Sequence, residues 1–325
     1  MHNSATTVDS RGLIIGMDEA GYGPNLGPLV ISATAWRVPG APQATDLWRE
    51  FADVVGPTPP VAGSHLQVAD SKVVYTPSRG LVNLERGVLA ALALLGCEPA
   101  GFRDLWQRLA PDHPGDYDAE PWFADQHLAL PVSCTMPPAA TLVDRWRASC
   151  QARQISLEAV CCDVVVPRRF NALVNQHGNK ARALTEIAMG VLRRAWPAAA
   201  DCPTLIIADK HGGRNRYQEF LQDLAGDQLV LCREEGASRS RYHIRNAEIS
   251  FETQAERHFP VALASMVSKY LRELSMILFN RFWSSRQAGL KSTAGYPVDA
   301  RRFRREIAAL QSELAIPDAV LWRER

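Results

Sequence analysis

The sequence predicts an α/β fold, and three observations predict it. Short aliphatic runs such as Leu13 to Met17 are cut off by Gly and Pro, as buried strands are. Between such runs lie longer stretches whose apolar residues recur at helical spacing. Two of the runs also deliver carboxylates into glycine-rich loops, Asp18 and Glu19 in "MDEAGYGPNLGP" and Asp209 in "ADKHGG".

Leu13 to Met17 and Leu29 to Trp36, with Gly and Pro punctuation between them, read as two strands joined by a turn. From Arg79 to Leu95, Leu84, Val88, Ala91, Leu92 and Leu95 share one helical face. Ala159 to Val166 is a third strand, stopped by Pro167, and a helix from about Lys180 to Trp196 follows with Leu184, Ala188, Val191 and Leu192 on one side. Leu205 to Ala208 is a short buried strand, and Leu229 to Cys232 reads as the last. Val261 to Trp283 is a long helix with Val267, Leu271, Leu274, Leu278 and Phe282 as its core stripe, and Glu273 lies off that stripe beside Lys269. Residues 37 to 69 and 97 to 155 break the pattern and are expected to be insertions on one core.

At 325 residues, 46% hydrophobic and 22% charged, the chain has a globular balance, so disorder is excluded as the default. The polar start lacks the apolar region of a signal peptide, and the greasiest run, around Val88 to Cys97, is too short to span a bilayer. No membrane association and a cytoplasmic location are the expectations. Seven cysteines without a paired Cys-x-x-Cys array point to reduced thiols rather than a zinc site. The net charge of +1 does not decide on a polyanionic partner, but Arg281, Arg286, Lys291, Arg301, Arg302, Arg304 and Arg305 share a stretch whose only acid is Asp299. That stretch is either a solvated helix face or a surface that tracks phosphates.

Two adjacent carboxylates followed by so little side chain pose a chemical question. Glycines let backbone N–H groups approach a ligand closely, yet two anions repel a bare phosphate unless a cation sits between them. Hard divalent cations take oxygen ligands and bridge carboxylates to phosphates. Each acid also has a simpler reading: Asp18 and Glu19 a solvated turn, Asp209 a turn cap, Asp70 the cap of the helix after it, and Glu273 an i,i+4 partner of Lys269.

Five stretches in order resemble the type 2 ribonucleases H, closest to the archaeal and eukaryotic catalytic subunits. "GMDEAGYGPNLGPLV" is similar to the family's Asp-Glu-Ala-Gly-Arg-Gly-Pro motif, and "VADSK" to its Asp-Ser-Lys motif. "IIADKHGGRNRYQEFL" resembles the second-aspartate strand, "FPVALASMVSKYLRELSM" the Ala-Ser-Ile-x-Ala-Lys-x-x-Arg-Asp helix, and "AGYPVDARRF" the Gly-Tyr-Pro segment.

The resemblance implies an RNase H-like fold: a mixed five-stranded sheet flanked by helices over residues 13 to 283, after a tail of residues 1 to 12 and before a basic helical extension over 284 to 325. It assigns Asp18, Glu19, Asp209 and Glu273 to Mg²⁺ or Mn²⁺, and Gly21, Tyr22, Gly23, Ser71, Lys72, Lys269 and Tyr296 to substrate. The implied partner is an RNA–DNA hybrid or ribonucleotide-containing duplex DNA, cut to 3′-hydroxyl and 5′-phosphate ends. Two positions depart from the motif: Tyr22 stands where the family has Arg, and Glu273 where it has Asp. Two alternatives stay open, a catalytically weakened nucleic-acid-binding protein and a metal nuclease for structured DNA.

Overall fold

The protein is described by a computed structural model for residues 11–61, 63–133, 140–196 and 202–324. Its main sheet contains β1 (Arg11–Ala20), β2 (Leu29–Pro39), β3 (Ser156–Val165), β4 (Thr204–Asp209), β5 (Val230–Glu235), β6 (Arg239–Ile244) and β7 (Ala247–Glu252). The spatial order is β3-β2-β1-β4-β7-β6-β5. β1, β2 and β3 run antiparallel, whereas β1, β4 and β7 run parallel, so the sheet is mixed as expected.

It has seven strands where five were expected. The two that the sequence reading missed, β6 and β7, form a hairpin closed at Arg245 and Asn246. Arg245 takes a left-handed conformation, φ 48°, without the glycine that ordinarily marks so tight a turn. In β6 the buried Ser240, Tyr242 and Ile244 alternate with Arg239, Arg241 and His243, a half-buried pattern that a search for aliphatic runs passes over.

Helices cover both faces. On one side pack α1 (Val82–Leu94) and α5 (Phe259–Ser284), and on the other α2 (Pro167–His177), α3 (Lys180–Ala195) and α4 (Gln218–Ala225). Strand residues alternate between the two cores: Ile14 joins the α5 side, while Leu13, Ile15 and Met17 join the α3 side. Gly16 is required where α5 crosses β1, because a Cβ there would lie 2.2 Å from the Pro260 backbone. The irregular residues 97 to 155 contribute helices Phe102–Leu109 and Ala140–Ala152, and Trp106, Trp122 and Trp146 are buried in the α5-side core. After α5 the chain forms α6 (Pro297–Glu313), and Trp322–Glu324 returns to the start of the glycine-rich loop. Among the described residues no helix is long and apolar enough to cross a membrane.

Candidate metal centre and its glycine-rich loop

The parallel pairing of β1 and β4 builds the site. Met17 lies opposite Ala208, so the next residues, Asp18 and Asp209, leave the sheet at the same end. Asp209 is in turn paired with Glu252 of β7, after which the turn Ala255–Arg257 crosses the strand ends. Ala255 donates its N–H to Asp209 Oδ1 at 3.4 Å, and the next side chain, Glu256, enters the site. Carboxylate oxygens of Asp18, Asp209 and Glu256 lie within 4.8 Å of one another, a grouping of hard oxygen donors that fits Mg²⁺ or Mn²⁺.

Strand alternation separates the adjacent acids. Asp18 belongs to the face covered by α5, where the Ser265 hydroxyl hydrogen-bonds its carboxylate and Ser268 Oγ donates to its carbonyl oxygen at 3.0 Å. Ser268 also reaches Ser32 at 2.8 Å, so a polar stitch joins sheet and helix beneath the acids. Glu19 belongs to the opposite face, and it feels Asp209, Glu256 and Lys72 through space.

The electrostatics are those of anions without enough cations. Burial, then Glu19, Asp209 and Glu256, push the Asp18 carboxyl well above the usual range, against the Ser265 hydrogen bond. Burial and then Asp209 raise Glu19 to about 8, with Lys72 opposing. Asp209 rises to about 6, from burial first and Glu256 second. Lys72 is the neighbouring cation: its Nζ lies 3.5 Å from Glu256 and 4.0 Å from Asp70. Burial works to lower the Lys72 pKa, but Asp70, Glu256 and Asp18 outweigh it and hold the group above its ordinary value.

The other residues singled out in the sequence fall into two groups. Near the acids, Ser71 is buried with its Oγ 3.0 Å from Ser265 Oγ, and Asp70 caps the short helix Ser71–Val74 by accepting from the Lys72 N–H. Farther along α5, Lys269 Nζ binds Glu273 at 2.6 Å and stacks 4.7 Å from the Tyr75 ring centre. The Tyr75 hydroxyl hydrogen-bonds Glu273, and burial and then that carboxylate raise its pKa. Glu273 is thus not in the three-acid group and keeps the i,i+4 pairing that its spacing allows. Tyr296, 54% exposed, precedes α6 at its N-cap position, where its side chain makes no capping bond.

The glycine-rich loop rests on two buried arginines. Arg272 donates to the carbonyls of Pro28, Leu26 and Ala294, at 2.5, 3.2 and 3.1 Å. Arg323 donates to the carbonyls of Gly21 and Pro24 and sits 5.3 Å from the Phe170 ring centre. Asn25 and Arg323 also exchange backbone and side-chain bonds at 2.8 and 3.0 Å. Gly21 has φ +92°, and a Cβ there would meet Pro28 O at 2.7 Å, so glycine is required. Gly23 is exposed at the outer edge of the loop with nothing near its Cβ position. Tyr22 is half-buried between them, with Lys180 over its ring.

Sequence reasoning missed Glu256, Arg272 and Arg323. Glu256 follows a strand that carried no aliphatic signal, and Arg323 is 298 residues from the Asn25 it pairs with, so no local pattern marks either. Arg272 lay inside the resembled helix motif, next to the acid that drew attention.

No family profile matches the chain, and neither does any curated protein. Several solved structures are similar in shape. RNase HII in the PCNA complex from Archaeoglobus fulgidus is 14% identical, over 96% of this chain and 94% of that one, at a TM-score of 0.40. The ribonuclease H2 from Pyrococcus horikoshii OT3 is 14% identical over 95% and 92%, at 0.42. Bst-RNase HIII in complex with Mn²⁺ is 16% identical over 98% and 68%, at 0.43. At these TM-scores nothing further rests on the likeness.

Proposed function

We propose that the protein is a divalent-metal-dependent endonuclease of the type 2 ribonuclease H kind. Its substrate is the RNA strand of an RNA–DNA hybrid, or the strand beside ribonucleotides in duplex DNA. The observation that carries this reading is the meeting of Asp18, Asp209 and Glu256, from three separate chain segments, beside a glycine-rich loop. The motif order in the sequence supplies the substrate class. Of the acids that the resemblance assigns to metal, Asp18 and Asp209 keep that role here, with Glu19 on the adjoining face. The geometry favours Glu256 over Glu273 as their partner.

Asp18, Asp209 and Glu256 would hold a divalent ion, which would supply polarisation of a phosphodiester and a lowered pKa for an attacking water. The chain's own work is to hold that ion and to orient the strand. Ser265 and Ser268 fix Asp18 from α5, Lys72 lies at the rim beside Glu256, and the loop offers backbone N–H groups that can approach a ribose 2′-hydroxyl.

The test is a panel of labelled hybrid, single-ribonucleotide duplex, plain DNA duplex and junction DNA, each with Mg²⁺ and Mn²⁺. Hybrid or ribonucleotide cleavage is expected. Glu256→Gln should lose at least about a hundredfold in kcat, as Asp18→Asn should, because each removes a ligand charge. Glu273→Gln should stay within about tenfold of the unsubstituted protein. A reversed ranking of Glu256 and Glu273 returns the ligand to α5. Binding without cleavage in either metal makes the protein a nucleic-acid-binding relative, and selective junction cutting moves it to the structured-DNA nucleases.

A further inference from the structure

Two cations attend the residue at which the chain leaves its motif. Lys180 opens α3, where Asn179 caps the helix by accepting from the Ala181 and Arg182 N–H groups and so fixes its start. From there Lys180 Nζ donates to the Tyr22 carbonyl at 2.8 Å and lies 4.3 Å from the centre of the Tyr22 ring. Arg214 arrives from the other side of the site, on the loop that follows Asp209. Its guanidinium stacks 4.6 Å from the Phe220 ring centre. Among the described residues the one carboxylate within its ion-pair range is Glu219, at 3.9 Å. Its Nε is buried without a partner.

The Tyr22 ring links the two loops. Its edge lies 4.0 Å from where a Cβ would stand on Gly212, in the loop that carries Arg214. Burial and then Glu19 raise the Tyr22 hydroxyl while Arg214 opposes them, so ring, acid and guanidinium share one neighbourhood. An ammonium acts as a point charge and a guanidinium as a planar fork, and both recognise phosphate. One arginine at position 22 would have to supply charge and direction alone; here two elements supply them.

We propose that Lys180 and Arg214, gathered by Tyr22 and the Gly212 loop, form the subsite for a phosphodiester of the bound strand adjacent to the metal-binding acids. This rests on the nuclease reading above. The ligand class is a backbone phosphate, so the subsite contributes affinity without base preference.

The experiment follows anisotropy of a fluorescent RNA–DNA hybrid through a salt series, with kcat and KM measured in parallel under Mg²⁺. Lys180→Gln and Arg214→Gln should each weaken binding about tenfold and make the slope of log affinity against log salt shallower by about 1, whereas Lys180→Arg keeps the slope. KM should rise while kcat stays within about twofold. An unchanged slope in both neutral variants overturns the proposal. A lower kcat at constant KM with a lower melting temperature also overturns it, because the two residues would then be props for the Tyr22 loop. If the unsubstituted protein binds the hybrid but cleaves nothing, the nuclease reading falls, and the slopes still decide the subsite.

Discussion

Two regions of concentrated charge lie near the glycine-rich loop, and they are opposite in kind. At the strand ends Asp18, Asp209 and Glu256 face one another, with exposed Lys72 beside them. Beneath the loop Arg272 and Arg323, 2% and 1% exposed, meet no carboxylate within ion-pair range among the described residues. Backbone carbonyls take three bonds from Arg272 and two from one terminal nitrogen of Arg323, whose Nε and other terminal nitrogen are buried without a partner. The carboxylates have fewer fixed donors: a serine and one backbone amide at Asp18, the amides of Ala255 and Lys210 at Asp209, and exposed Lys72 at Glu256. Charge in the floor is tied to the backbone of the loop, then, whereas charge at the strand ends is mutually repulsive, a repulsion that the proposed ion would relieve.

The sharpest way to break this comparison is to remove one member of each region and measure stability without divalent metal. Arg272→Ala strands three carbonyls and opens a cavity, so we expect a loss of about 3 kcal/mol by denaturant unfolding. Asp18→Asn relieves repulsion and keeps the acceptor oxygen, and it should gain about 0.5–2 kcal/mol. Two losses of similar size would mean that the acids are as well satisfied as the arginines.

pH tests the acid side with a smaller effect. Burial and mutual repulsion lift Asp18 well above its ordinary value, Glu19 to about 8 and Asp209 to about 6, whereas the unfolded chain protonates these groups near pH 4, roughly. Between those limits the folded protein binds more protons than the unfolded one, so stability without metal should rise as pH falls from about 8 towards 5. Saturating Mg²⁺ or Mn²⁺ should flatten that rise and raise the melting temperature, with the effect lost in Asp18→Asn. A metal-free stability that is level over this range would contradict the charge assignment.

The smallest expected effect concerns cations that face water. Arg302 is held by Asp299 and Glu306, each at 2.6 Å, and Arg304 by Asp318 at 2.6 Å. Lys291, Arg301 and Arg305 are exposed and have no carboxylate in ion-pair range among the described residues. Neutralising those three should weaken duplex binding alike for every sequence and flatten its salt slope. Neutralising Arg302 and Arg304 should instead change stability by a few tenths of a kcal/mol, roughly, with little change in slope.

The sequence by itself determined the α/β class, the five aliphatic strands, the long helix and the acids at two strand ends, because each is written in a local period or a run. It also determined the Gly21 turn and the cap at Asp70, which are matters of a few adjacent residues. Tertiary structure decided the rest. The motif resemblance made Glu273 a candidate ligand and its i,i+4 spacing allowed a bond to Lys269 instead; in the folded chain Glu273 makes that bond, beside Tyr75. Glu256 joined the acids because β7 pairs in parallel with β4, a register set by strands far apart in the chain. Arg323 reaches Gly21 across 302 residues, a contact that no strand pairing of its own sets. A long-range contact is fixed by the closure of the whole fold, and no short stretch of sequence carries its signature.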